Sequence, residues 1–430
     1  MQLYAETFPD FQRSQPLERC GGQLYPDIKG NWQIFEGRKR QSQAGIMLGQ
    51  LTKTSFKSER SMKSQISNQI LWREIPVGNL TDWSAKLEAA SCSYRQFPFW
   101  AKAYEVEHHK VRFFYCGSKD RPTAFAAIVE VGIYPFRFGL IDRGPFFFAP
   151  EHTDIPACLS GLVELFKKQG YVFVRFTQGQ EVIFEEVRSL TGSEQIEPYP
   201  FCRDSRNSML IGQKPEESDT IQSFSETARQ EIRRAVRFNY DIRSTDTDAD
   251  FETAWQMFEN LARKKGFILS PRPKKFWREV LRLGSQENRA RLYLCSDQRE
   301  LIAAQLDVRD GAICEVMLAS LDREALGKKP SPAALMFFKG MRFGYEFGCR
   351  LFNIGGPGDP KRNNHLFEFK RKFKPTLHVT PEPLCLVLAP RRYRLWMNIF
   401  LRGWRAWRSR FGNNSVRHRN PKHQPNGEVE

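Results

Sequence analysis

Several things are missing from this chain, and each absence removes a class of function. Its nine cysteines are odd in number and form no CxxC pair, which excludes a disulfide framework and a cysteine-built zinc site. Its seven histidines, His108 and His109 included, show no metal spacing with carboxylates, so no metal is expected. No GxSxG elbow, Walker loop or GxGxxG fingerprint occurs, which argues against hydrolase, nucleotidase and dinucleotide chemistry. No apolar run reaches the roughly 18–20 residues that cross a bilayer. The opening MQLYAETFPDFQ lacks a basic stretch followed by an apolar one, so no signal peptide is expected.

Acidic residues are the other shortage. Asp and Glu number 49 against 66 Lys and Arg, a formal net charge of +17 over 430 residues. Such an excess calls for an anionic partner: nucleic acid, a phosphorylated substrate or an acidic membrane face. Its bland alternative is solubility alone. With 40% hydrophobic residues, the chain has material for two or three cored domains.

Residues 1–68 lack hydrophobic periodicity and are expected to be a disordered extension. From Leu71 the texture becomes α/β. Strands are expected at Val111–Cys116, Thr123–Val131 and Phe138–Ile141. A helix over Ile155–Gln169 follows, then Gly170 and a buried strand, Val172–Phe176. Further on, Ser225–Phe238, Phe251–Lys265 and Lys274–Leu283 have helical spacing. Three strands in meander come next, then a helix over Pro332–Phe347, Gly348 and the strand Arg350–Ile354. The helix–Gly–strand order thus occurs twice. Two related domains are expected at 70–215 and 220–385, the second including the connecting basic helix.

One segment concentrates the chemistry. The strand Leu351–Ile354 runs into Gly355-Gly356, where backbone can approach a ligand closely. Lys370 follows, between Phe369 and Phe373, suited to an oxyanion or a phosphate. A glycine turn followed by a solvated basic strand is the alternative.

Strand, Gly-Gly, short loop and Phe-Lys-x-x-Phe resembles the FemABX-type family of peptidoglycan interpeptide-bridge aminoacyltransferases. Other segments agree in order: Trp100-Ala101-Lys102, Arg143-Gly144-Pro145, the basic helix Ile232–Arg237, and the helix Pro332–Gly348. The resemblance covers roughly residues 70–385. It implies two tandem GNAT-like acyltransferase domains. It also implies transfer of an aminoacyl group from aminoacyl-tRNA to an amine of a pyrophosphate-containing peptidoglycan precursor, in the cytoplasm and with no bound cofactor. Lys102 and Arg234 or Arg237 would hold the diphosphate, with Arg143, Gly355, Gly356 and Phe369 lining the substrate. Lys370 would stabilise the tetrahedral intermediate. Asn353 stands in the catalytic strand where the family usually has Asp, and an amide cannot act as a base. That departure leaves an acyl-CoA donor and an inactive scaffold open. A CoA pyrophosphate would meet the stretch Gly327, Lys328, Lys329 and Ser331 before a helix, which is otherwise a basic turn with Pro332 at its start.

The segment 391–411 carries a second pattern. On a helical wheel Tyr393, Trp396, Met397, Phe400, Trp404 and Trp407 share one stripe, opposite arginines and with no acidic residue. This pattern suits a helix lying in an anionic membrane interface, with Trp396, Phe400, Trp404 and Trp407 in contact with lipid. Docking on the protein's own core and an RNA-binding arm are the alternatives. Residues 412–430 are polar and expected to be disordered.

Overall fold

Alternating burial fixes the strands. In Lys110–Gly117, Phe113 enters one core while its neighbour Phe114 enters the opposite one. Pro122–Val131 does the same with Phe125, Ala127 and Val129 against Ala124, Ala126 and Ile128. A strand covered on both faces reads as continuous apolar sequence, because the side-chain period is two.

The computed structural model describes residues 22–26, 32–36, 71–132, 135–177, 181–191, 196–198, 207–267, 269–357, 365–381, 383–399 and 402. Within 1–68 these comprise one antiparallel pair, β1 (Gly22–Pro26) and β2 (Trp32–Glu36). The rest of that expected extension, and the tail 412–430, lie outside the described residues. Residues 69–406 form a separate compact unit.

That unit begins with β3 (Trp72–Glu74), α1 (Leu80–Ala89), α2 (Pro98–Lys102), β4 (Lys110–Gly117), β5 (Pro122–Val131), β6 (Phe138–Asp142) and β7 (Phe146–Phe147). Then come α3 (Ile155–Lys168), β8 (Phe173–Thr177), α4 (Glu181–Thr191), β9 (Ile196–Pro198) and β10 (Asn207–Gly212). The second half holds α5 (Glu217–Ser223), α6 (Glu226–Phe238), β11 (Asp241–Thr245), α7 (Asp248–Lys265), α8 (Lys274–Gln286), β12 (Ala290–Asp297), β13 (Glu300–Arg309) and β14 (Ile313–Leu321). It continues with α9 (Arg323–Leu326), α10 (Ala333–Glu346), β15 (Leu351–Asn353), α11 (His365–Arg371), β16 (Thr376–Val379), β17 (Leu384–Val387) and α12 over 390–399.

The strands make two sheets, in the orders β3-β4-β5-β6-β8-β17-β9 and β11-β12-β13-β14-β15-β10-β16. Each is an antiparallel meander whose last strand pairs in parallel with the strand after a helix: β6 with β8, and β14 with β15. The repeated helix–Gly–strand order is therefore structural. Asp154 caps α3 by accepting the Ala157 N–H. Gly170 and Gly348 follow their helices at φ +74° and +91°, which a residue with a Cβ adopts with strain.

The expected domain boundaries shift in one respect. β10 lies in the stretch assigned to the first domain, yet it pairs with β15 of the second sheet. β17, expected to close the second domain, pairs with β8 of the first. Each parallel strand would otherwise leave an open edge, and each is covered by a strand from the other half of the chain. The alternative of a basic strand around Lys370 is set aside: the segment is helix α11, whose Phe369 meets Phe373 four residues on.

The two halves share a core. Trp100 on α2 meets Phe276 and Trp277 of α8 edge-on, at 5.3 and 5.9 Å between ring centroids. Tyr104 adds a third edge contact with Phe276 at 5.0 Å. Glu88 of α1 takes Arg289 at 3.0 Å and Arg309 at 2.9 Å from the second half. Trp100→Ala is expected to cost about 3–5 kcal/mol, as for other buried aromatics. Urea unfolding would measure it, and a loss under about 1 kcal/mol would mean that the halves are held elsewhere.

Candidate active site

Each parallel pair ends at a polar couple. Asp142 faces Thr177 at the end of β6 and β8, and Glu315 faces Asn353 at the end of the β14–β15 pairing. Cys314 and Phe352 enter the core beneath α10, so alternation turns Glu315 and Asn353 towards the first half. There the Tyr94 hydroxyl donates to Glu315 Oε2 at 2.8 Å, and Arg143 Nη2 donates to the same oxygen at 3.1 Å. Arg95 Nη1 reaches Asp142 Oδ2 at 2.9 Å, and the Thr177 hydroxyl donates to Asp142 Oδ1.

Burial alone would keep both carboxyls neutral. For Glu315 it is outweighed by Arg143, Arg95 and the Tyr94 hydroxyl; for Asp142, by Arg95, Thr177 and Arg143. Both are held below the usual carboxylate range and are ionised at neutral pH. Two acids thus face two arginines in a charge-balanced cluster.

The turn carrying Arg143 is clamped. Arg143 has φ +52°, and its N–H donates to Thr177 O at 2.8 Å. Gln96 donates through Nε2 to Asp142 O at 2.5 Å and accepts the Ala127 N–H at 2.8 Å. A Cβ on Gly144 would lie 2.5 Å from the Gln96 side chain, so the clamp needs glycine there.

Just beyond Asn353 the chain opens into the Gly-Gly turn. Gly355 sits at φ +75° and its N–H donates to Asn353 Oδ1 at 2.8 Å. Lys370 Nζ donates to Gly356 O at 2.8 Å and lies 3.4 Å from where a Gly355 Cβ would stand. The side chain is buried, and among the described residues no carboxylate pairs with it. Desolvation pushes its pKa down to about 8. A cation with spare N–H donors beside a glycine backbone can receive charge that develops on an acyl oxygen. The structure therefore joins Lys370, Gly355 and Gly356, as expected. Asn353 proves to be a brace: its amide holds Gly355 and reaches Ser208 Oγ at 3.4 Å.

The other expected residues fall in different places. Phe369 packs on Phe337 and Phe373 at 5.3 and 5.4 Å, so it belongs to the second core rather than to a substrate surface. Lys102 is half-buried on α2, on the face of the second sheet that α8 covers. Arg234 and Arg237 point outward from α6, which buries Ala228, Ile232 and Ala235 against the opposite face. The second sheet lies between them, so Lys102 and these arginines do not form one diphosphate clamp. In the loop before α10, Lys329 is paired with Asp297 and Ser331 accepts the Ala333 N–H at 3.3 Å. Gly327 turns at φ +58°, and Lys328 is exposed without a partner among the described residues.

Trp396 also needs correcting. Its ring packs on Phe138 and Phe173 at 5.6 and 5.1 Å, where a stripe of that shape finds an apolar surface of the protein itself. Phe400, Trp404 and Trp407 lie outside the described residues. Sequence reasoning missed Tyr94, Arg95, Asp142 and Glu315 as site residues. The lone charge in the strand sequence ICEVMLASL was the sign that could have found Glu315.

Residues 222–371 match the family model described as an acetyltransferase (GNAT) domain. Among solved structures, FemX is 12% identical with a TM-score of 0.61, over 75% of this chain and 99% of FemX. A tandem GNAT protein from the clavulanic acid biosynthesis pathway is 9% identical, with a TM-score of 0.45 over 74% of this chain and 98% of its own. L-PGS from Bacillus licheniformis is 16% identical, with a TM-score of 0.44 over 73% and 92%. No curated protein matches in sequence. The fold is like that of FemX, and residues 222–371 within it resemble an acetyltransferase (GNAT) domain.

If Lys370 acts as a cation, its pKa of about 8 sets the alkaline limit. The ammonium population falls as pH rises through that value, so kcat should fall along a limb centred near pH 8. A flat profile from pH 7 to about 10, the ordinary lysine range, would exclude a required positive charge there.

Proposed function

We propose that this chain transfers an aminoacyl group from aminoacyl-tRNA to an amine of a lipid-linked or nucleotide-linked envelope precursor containing a pyrophosphate. The observation that carries this reading is the buried Lys370 ammonium, without a carboxylate partner among the described residues, beside Gly355-Gly356 at the open end of β15. The amine nitrogen attacks the ester carbonyl and forms a tetrahedral intermediate. Its oxyanion takes hydrogen bonds from Lys370 Nζ. The carbon–oxygen bond to the ribose then breaks, the ribose oxygen leaves as a hydroxyl, and the nitrogen loses its proton. The donor ester is already activated, so its own leaving group supplies the driving force.

The positions of cations without an ion pair among the described residues support a division of labour. Lys102, on the α8-covered side, is available to the acceptor's phosphates. Arg234 and Arg237, outward on α6, are available to the phosphodiester backbone of the donor. A lipid-linked acceptor would place the protein at the inner face of the plasma membrane.

A second reading keeps the fold and changes the donor to acyl-CoA. The acetyltransferase description of the matched domain favours it. Against it, Lys329 and Ser331 are already engaged, which leaves Lys328 to meet a pyrophosphate at the α10 start.

Lys370→Met is expected to lower kcat by about 10²–10³, the usual effect of losing one oxyanion donor. The melting temperature should be unchanged or higher, because a desolvated charge leaves the core. Full activity in this variant would sink the assignment. Parallel reactions with labelled aminoacyl-tRNA and labelled acetyl-CoA, each with a lipid-linked precursor, separate the donors. Transfer from acetyl-CoA alone would replace the first reading with the second.

A further inference from the structure

Helix α12 shows two faces of opposite use. Tyr393, Trp396 and Met397 form the inner one. Tyr393 is buried with Val172, Phe173, Cys385 and Val387, and Trp396 and Met397 pack against that cluster. The described part of the apolar stripe is thus already covered by the protein itself. The outer face carries Arg391, Arg392 and Arg394, all exposed and without an ion pair among the described residues. Among them stand Leu395 at 52% and Ile399 at 41% exposure, one turn apart. Arg402 continues the face, and the helix has no acidic residue.

Isolated exposed leucines are ordinary. Here two aliphatic side chains sit within a ring of uncompensated arginines. Guanidinium groups seek phosphates, while Leu395 and Ile399 gain by leaving water. An anionic bilayer offers both at the right depth, with headgroup phosphates outside and acyl chains within. RNA offers phosphates and rings that favour aromatic partners, and this outer face has no aromatic residue.

We propose that the outer face of α12, formed by Arg391, Arg392, Arg394, Leu395 and Ile399, docks on an anionic lipid surface, with the tryptophan face serving as its anchor to the protein. The proposal deepens the membrane part of the reading above and rests on it. It differs from the helical-wheel expectation at Trp396, whose ring faces the protein. It also gives the docking a fixed orientation, because the helix is held by the core of the first half.

Flotation of the full-length protein with phosphatidylcholine vesicles, with and without phosphatidylglycerol, tests this. The protein should float only with the anionic vesicles. Charge reversal in the R391E/R392E/R394E variant should weaken that binding by roughly tenfold or more. The L395Q/I399Q variant should weaken it too, and its residual binding should vanish at high salt. Both variants should keep the wild-type melting temperature, since all five side chains are exposed. The proposal falls if the protein ignores anionic vesicles, binds neutral ones equally, or binds as well in both variants. It also falls if the variants lose retention on single-stranded RNA and keep vesicle binding. Flotation needs no turnover, so a failed transfer assay and a failed flotation are separate results.

Discussion

A parallel strand pair built across a helix leaves one strand edge without hydrogen-bond partners, and this constraint organises the molecule. β8 and β15 each have such an edge. A short domain could hide it with charge or a bulge. Here each edge receives an antiparallel strand from the other half of the sequence, β17 on β8 and β10 on β15. The exchange ties both sheets to one another through the backbone. It also accounts for the depth of the shared core, where Trp100 lies among rings of α8. Because the halves are stitched in this way, the carboxyl ends of their parallel pairs carry polar couples joined by Tyr94 and Arg143. In α/β folds the carboxyl ends of the strands are where ligands meet open backbone.

Charge balance separates two kinds of polar group at that place. The Arg95, Asp142, Arg143 and Glu315 cluster sums to zero, and its carboxyls are held ionised by their partners. Breaking such a set by removing one member would strand a buried charge, so its role is to hold the strand ends in register. Lys370 is the opposite case. Among the described residues its ammonium has a backbone oxygen at 2.8 Å and no carboxylate partner, and burial disfavours its charge. A group left in that state destabilises the fold relative to an apolar one of the same size. Uncompensated burial is what an electrostatic catalyst requires, since a permanent counter-ion would cancel the field meant for the substrate.

Much of this was legible before the structure. Period-two burial marked the strands, and the helix–Gly–strand echo marked the repeated unit, because both patterns reflect local geometry. The Gly355-Gly356 turn and Lys370 were legible as neighbours for the same reason, lying close together in sequence. The strand exchange was not: β17 meets β8 across about half of the chain, and no short-range pattern encodes a partner so distant. The stretch FEFKRKF misled because its alternating phenylalanines fit a strand as well as a helix, and packing on Phe337 decides for the helix. Glu315 was hidden by its surroundings. A charge in an apolar strand reveals its use only when Tyr94 and Arg143 are brought to it. For α12, amphipathicity established that one face is covered without naming the cover.

The net charge of +17 gains locations from these contacts. Many cations are spent on the protein's own carboxylates: Arg289 and Arg309 on Glu88, Arg112 on Glu74, Arg278 on Asp248. Others, without an ion pair among the described residues, lie in separate places: Arg234 and Arg237 on α6, Lys102 on α2 across the second sheet, Lys328 before α10, and the outer arginines of α12. A single polyanion groove would gather its cations along one continuous track. Placement on opposite sides of a sheet suits a reaction between two large anionic molecules instead. Each can be held by its own phosphates and approach the strand end from its own side. Under the proposed function, their reactive ends would meet at Gly355-Gly356, where Lys370 would supply the charge. Holding both by groups remote from the chemistry spends binding energy on position rather than on the reacting atoms, and that is how proximity lowers a bimolecular barrier.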